Sequence, residues 1–223
     1  MGKVTIQPHT TKFPIQLMGE EAGVCYGSDT SSPEKNYKRG MQCINDGHGR
    51  VMEFPQIYCV IEGYSARFMR ELYTHIGGAP TRTQASTRYI NYGDFKYIIP
   101  PSVHNDSDAE DIYVATMNTI SENFVKLQDM GIPKEDIANI LPLGMESQMV
   151  WRTNLRNAVD MSHQRECSRA YWEFRDFMRD FKKALSEYSE EWATLVETQF
   201  KPKCEVCGFC TEKFSCGRKP KAL

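Results

Sequence analysis

The stretch from Asn154 to Tyr188 constrains the fold most, because its pattern predicts one helix of about nine or ten turns at ~3.6 residues each. Asn154 stands where an N-cap opens a helix, and Val159, Met161, Ala170, Phe174, Phe177, Met178, Phe181 and Leu185 form an apolar stripe. Such a stripe must bury itself against something large. A chain of 223 residues with 40% apolar content is long enough for one substantial core or two small ones.

Upstream, strands alternate with helices. Gln56 to Gly63 is a short β-rich apolar run, and Ser65 follows as the N-cap of a helix through ARFMRELYTHI. GGAPTRTQAS carries loop punctuation, and RYINYGDFKYIIPP predicts a strand stopped by Pro100 and Pro101. Asp106 to Met130 has helical spacing and ends at Gly131, a short helix begins at Pro133, and GMESQMVWRT predicts a further strand. The first fifty residues read as loops around one short helix near Tyr37 to Asn45. The expected fold is therefore α/β or α+β, a central mixed sheet flanked by helices with one long C-terminal helix. Residues 1–200 form the main domain, and 201–223 form a cysteine-rich tail.

A net charge of −2 excludes a general nucleic-acid coat, so any anion site must be local. The N-terminus lacks the order of a secretory signal and no long apolar run is present, which predicts a soluble cytoplasmic protein. Cys25, Cys43, Cys59 and Cys167 are scattered singly and read as reduced thiols.

Three groupings bear on chemistry. The loop Thr81 to Tyr89 packs Arg82, Gln84, Ser86 and Arg88 behind two glycines, a composition suited either to a phosphate or to plain solvation. On the long helix Arg165, Arg169 and Glu173 repeat at i, i+4 and i+8, with Asp160 a turn earlier and Asn154 and Arg156 in the first turn. His48 and Glu53 stand five apart in a glycine-flanked turn beside Arg50. No G-x-S-x-G elbow or H-E-x-x-H is present, so a chain built from arginines, hydroxyls and amides leaves the difficult chemistry to a cofactor.

In order, GHGRVMEF, IEGYSARFMRELYTHIGG, TRTQASTRYI with IIPPS, GIPKEDIANILP, RTNLRN and QRECSRAYWEFR resemble the flavin-dependent thymidylate synthases from about Val24 to Lys201. The most specific part is the closure Ser86-Thr87-Arg88-Tyr89 after a histidine that ends a helix. The resemblance implies FAD as cofactor, NADPH and methylenetetrahydrofolate as co-substrates, dUMP as substrate, and a homotetramer with shared sites. It implies that Ser86 and Arg88 hold the nucleotide phosphate with Gln84 and Glu71 beside them. Arg165 would contact the pyrimidine, and Arg165 and Ser86 would be the catalytic groups. His48, Arg50, Glu53, Thr74, His75, Ile76, Arg82, Asn154, Arg156, Asp160 and Arg169 would lie against FAD. No nucleic acid or membrane partner is implied.

Departures accompany the resemblance. Thr74 stands where the family has arginine, Glu71 where it has glutamine, and Ala138-Asn139 where another arginine is usual; Arg82 is the candidate to replace the charge missing at Thr74. These changes keep two alternatives in view, a related C5 methyl- or hydroxymethyltransferase on another pyrimidine nucleotide and a non-catalytic nucleotide-binding relative. In the tail, Cys204, Cys207, Cys210 and Cys216 follow a C-x2-C-x2-C-x5-C spacing, which suits a tetrahedral zinc or an iron-sulfur cluster, the other reading being a disordered basic tail.

Overall fold

The computed structural model describes residues 2–222. In chain order it contains β1 (Lys3–Ile6), α1 (Pro14–Cys25), α2 (Pro33–Asn45), β2 (Gln56–Ser65), α3 (Ala66–Leu72) and β3 (Thr81–Gln84). There follow α4 (Pro101–His104), α5 (Ser107–Asp129), α6 (Lys134–Ile137), β4 (Glu146–Asn154), α7 (Leu155–Arg165), α8 (Trp172–Tyr188), α9 (Glu190–Gln199) and α10 (Lys203–Cys207). The four strands form one sheet in the order β1-β2-β4-β3. No helix among the described residues is long and apolar enough to cross a membrane.

The sheet is antiparallel, where a mixed sheet was expected. Ala66 N–H donates to Met145 O and Leu155 N–H donates to Pro55 O, so the end of β2 lies beside the start of β4 and the reverse.

Two compact units emerge. One comprises residues 61–74 and 83–149, the other 2–60, 75–82 and 150–222. The first unit closes on Tyr92, Phe95, Met117, Phe124, Ile137 and Met145. Tyr92 and Phe95 lie in the run expected to be a strand, but residues 89–99 are turns and extended loop, with one isolated antiparallel bridge from Tyr97 to Met145. The aromatic content that suggests a strand anchors a loop in the core instead. A real strand, β3, sits within the segment read as a loop.

The second unit is built on α8. Phe177 and Phe181 stack with centroids 5.4 Å apart, and Trp151 of β4 approaches Phe181 at 5.8 Å. The predicted continuous helix is broken: α7 ends at Arg165 and α8 starts at Trp172. On one unbroken helix turning ~100° per residue, the buried residues of α7 and α8 would point roughly a third of a turn apart. The break lets both stripes face the core.

The N-terminal region holds two helices and a strand, more than the single short helix expected. The two glycines of PIQLMGEEAGVC suggest a loop, yet Gly19 is where α1 meets α2. A Cβ there would stand 1.8 Å from the Asn36 carbonyl oxygen, and one on Gly40 would stand 2.1 Å from that of Ile15. Ser65, Asp106 and Asn154 cap their helices as the sequence suggests, each accepting a backbone N–H three residues on.

Candidate functional site

In the second unit the functional groups gather around the start and end of α7. Asn154 Oδ1 accepts the Asn157 N–H at 2.9 Å, and Asn157 Nδ2 donates to Thr153 Oγ1 at 2.8 Å and to the His75 carbonyl at 3.5 Å. The loop after His75 therefore rests on the capped end of α7. Gly77 and Gly78 are required there: a Cβ on Gly78, at φ +66°, would lie 2.1 Å from Asn154 Nδ2. Ile76, which precedes them, is 72% exposed.

At the far end of α7, Arg165 Nε donates to His75 Nε2 at 2.9 Å. Its guanidinium also lies over the Phe174 ring, 4.4 Å from the centroid. His75 is buried, and its ring meets the edge of Phe174 at 5.4 Å. Burial and the adjacent guanidinium push the imidazole down to about 4, so the ring is neutral near pH 7. A cleft of about 260 Å³ is lined by Arg165, Arg169 and Ala170 together with Glu212 of the tail. Arg169 itself is exposed, with its guanidinium 5.6 Å from the Phe214 ring. Because the helix breaks, Arg165, Arg169 and Glu173 do not share one helical face; Glu173 is buried near the start of α8 and accepts from Tyr171 Oη at 3.0 Å.

The loop around His48 forms a second part of this unit. Arg156 Nη1 meets Glu53 Oε1 at 2.6 Å, so two residues named separately form an ion pair. His48 and Arg50 line a cavity of about 580 Å³ whose walls include Val24, Tyr26, Val51 and Phe54. Apolar walls beside imidazole and guanidinium groups suit a flat aromatic ring system carrying phosphates. Arg82 is half-buried on β3 and Asp160 is exposed on α7.

In the first unit, Gln84 is held from both sides: its Oε1 accepts from Tyr73 Oη at 2.7 Å and its Nε2 donates to Ser147 Oγ at 3.1 Å. Ser86 opens a turn in which its Oγ accepts the Arg88 N–H at 3.2 Å. The Arg88 Nε lies 2.7 Å from Glu135 Oε2, with both side chains more than half exposed. Such a pair contributes only about 0–1 kcal/mol, so an incoming phosphate can displace the carboxylate. Thr74 turns its hydroxyl back to the Glu71 carbonyl at 2.7 Å, and Glu71 stands 3.9 Å from Arg67. Sequence reasoning misses Glu135, Tyr73 and Ser147, since nothing in the spacing of single polar residues announces contacts up to 63 positions apart.

The expected metal cage is not formed. Among the described residues no three His, Cys, Asp or Glu side chains are grouped to hold a metal, and all four tail cysteines are free thiols. The physical reason is the path of the tail. Cys204 and Cys207 sit on α10, Gly208 ends it at φ +82°, and Cys210 pairs through its backbone with Pro220 and Ala222. Cys207 is left exposed with its Sγ on the Phe209 carbonyl, while Cys204, Cys210 and Cys216 line a cavity of about 410 Å³ with Cys167.

The family model of the thymidylate synthase complementing protein matches residues 9–189. The chain is 25% identical to the flavin-dependent thymidylate synthase of Clostridium tetani, over 93% of this chain and 90% of that one. It is equally 25% identical to the enzyme of that name from Pyrococcus abyssi, over 96% and 91%. Among solved structures, the flavin-dependent thymidylate synthase of Helicobacter pylori, complexed with FAD and dUMP, superposes with a TM-score of 0.66 at 18% identity. That superposition covers 86% of this chain and 98% of the other, and at this identity it shows a shared fold.

Proposed function

The chain belongs to the thymidylate synthase complementing protein family, and we propose that it is a cytoplasmic flavin-dependent thymidylate synthase, a methyltransferase making dTMP from dUMP. The observation that carries this reading is the family match over residues 9–189, within which the Ser86-to-Tyr89 turn and Arg165 both fall. Methylenetetrahydrofolate supplies the carbon, and bound FAD, reduced by NADPH, supplies the hydride that completes the methyl group.

The residues of this chain bind and polarise. Ser86 and Arg88 hold the dUMP phosphate, where a charge-assisted hydrogen bond contributes about 1.5–3 kcal/mol, and Gln84 and Glu71 stand beside them. Arg165 faces the pyrimidine and stabilises negative charge that builds on the ring as C5 becomes nucleophilic. His48 and Arg50 border the cavity offered to the flavin, with Arg156 held by Glu53, and the loop Thr74 to Arg82 with Asn154, Asp160 and Arg169 completes the cofactor's surroundings. The sites are shared among subunits of a homotetramer.

The test is tritium release from C5-tritiated dUMP by the purified, FAD-loaded protein. Release that requires both methylenetetrahydrofolate and NADPH is the expected result. A protein that stays colourless after FAD is added, or release independent of folate, rejects the reading. UMP as competitor addresses the substitution of Thr74: tighter competition by UMP than by unlabelled dUMP moves the assignment to another pyrimidine nucleotide.

A further inference from the structure

Arg165 is a long side chain whose usefulness depends on where its fork points. A guanidinium on a flexible stem loses rotamer entropy when it is fixed, and an unfixed one presents its N–H groups in many directions. Two of its contacts bear on that direction. The Phe174 ring, 4.4 Å from Arg165 Cζ, sets which face of the guanidinium is covered. The hydrogen bond from Nε to His75 Nε2, 2.9 Å long, sets its rotation about that face.

His75 can serve as such an anchor because it is itself immobilised. Its ring abuts Phe174, its residue is 7% exposed, and its carbonyl accepts from Asn157, which is fixed in turn by Thr153 and the Asn154 cap. An acceptor Nε2 carries no proton, so the ring proton belongs to Nδ1. The resemblance in sequence suggests a different role, contact with flavin.

We propose that His75 is a positioning residue: its unprotonated Nε2 fixes the plane of the Arg165 guanidinium and thereby the direction in which Arg165 meets an anionic pyrimidine. The assignment of dUMP as that pyrimidine rests on the function proposed above; the pairing of His75 with Arg165 does not.

Two polar variants separate this from a merely structural role. In His75→Gln the amide oxygen reaches the place of Nε2, whereas in His75→Asn it stops short. With a charged hydrogen bond at stake, His75→Asn is expected to weaken dUMP binding by about 10- to 100-fold while His75→Gln recovers most of it. Flavin content is expected to be the same in the two variants, so that their difference in dUMP affinity does not follow cofactor loss. In an Arg165→Lys background, which lacks the planar fork, the two variants become alike. Equal behaviour of Asn and Gln in the native background, a difference that persists in the Arg165→Lys background, or loss of flavin in step with dUMP affinity overturns the proposal. If the native protein binds no dUMP, the thymidylate reading fails, and the nitrogen-15 resonance of the Arg165 Nε–H decides the pairing alone. A slowly exchanging resonance in the native protein and His75→Gln, lost in His75→Asn, supports it; an unchanged resonance in all three refutes it.

Discussion

Protonating His75 would set a second positive charge against the Arg165 guanidinium in a buried place. Burial first, and that guanidinium second, hold the ring at about 4 in the folded chain, whereas an exposed histidine titrates near ~6.5. The unfolded chain therefore takes up this proton earlier as pH falls. The stability contributed by neutral His75 is fully present above about pH 6.5 and is lost as pH falls toward about 4. At about pH 5 the loss from this group is on the order of 2 kcal/mol. Glu166 acts in the opposite sense, because burial raises its carboxyl and the folded state binds that proton first. Urea unfolding at about pH 7 and about pH 5 should show a steeper loss for the native chain than for His75→Gln, which has no ring to titrate; matching losses would falsify the neutral-histidine assignment. At this scale the sequence marks Arg165, His75, Glu53 and Arg156 one by one, but their pairings, 90 and 103 positions apart, are products of the fold. Asn157 escapes notice although it lies within RTNLRN, since a second asparagine beside a capping one has no signature of its own.

The pair α1 and α2 shows how an element can hide in plain sequence. Gly19 and Gly40 weaken the helical pattern locally, and glycine within a helix costs roughly 0.5–1 kcal/mol relative to alanine. Each is retained where the backbones come closest, with no room for a methyl group. Gly40→Ala and Gly19→Ala should each separate the two helices and destabilise the fold by roughly 3 kcal/mol or more, the scale of a severe core defect. Thermal unfolding measures this, and an alanine variant as stable as the native chain would contradict the close crossing. Long elements with clear caps, α5 and β4 among them, are legible from Asp106, Gly131 and the alternation in GMESQMVWRT. The break at 166–171 is not, because each half of the stripe looks helical and only their relative phase reveals that one rod cannot bury both. Nor is the loop character of 89–99, where aromatic residues serve the core without pairing.

For the whole molecule, the surface left over by this fold bears on assembly. Helix α5 has 23 residues yet buries only Met117 and Phe124. Ile112 and, just past its end, Met130 are 70% and 74% exposed, and Val125 is exposed between them. Val24, Tyr26 and Phe54 are likewise exposed around the cavity beside His48. Scattered apolar residues are ordinary on a surface, but apolar residues spread along one helix and around a candidate cofactor cavity are what a symmetric assembly covers. The homotetramer proposed above needs apolar surface to bury, and these exposed residues are available for it. A tetramer of the 25.6 kDa chain should sediment at about 100 kDa. Ile112→Glu places a charge in that surface; it should shift the protein toward smaller species and lower flavin retention with them, while the monomer's helical content is kept. If the native chain sediments as a monomer yet retains flavin fully, the flavin site is complete within one chain, and the shared sites proposed for the homotetramer must be abandoned.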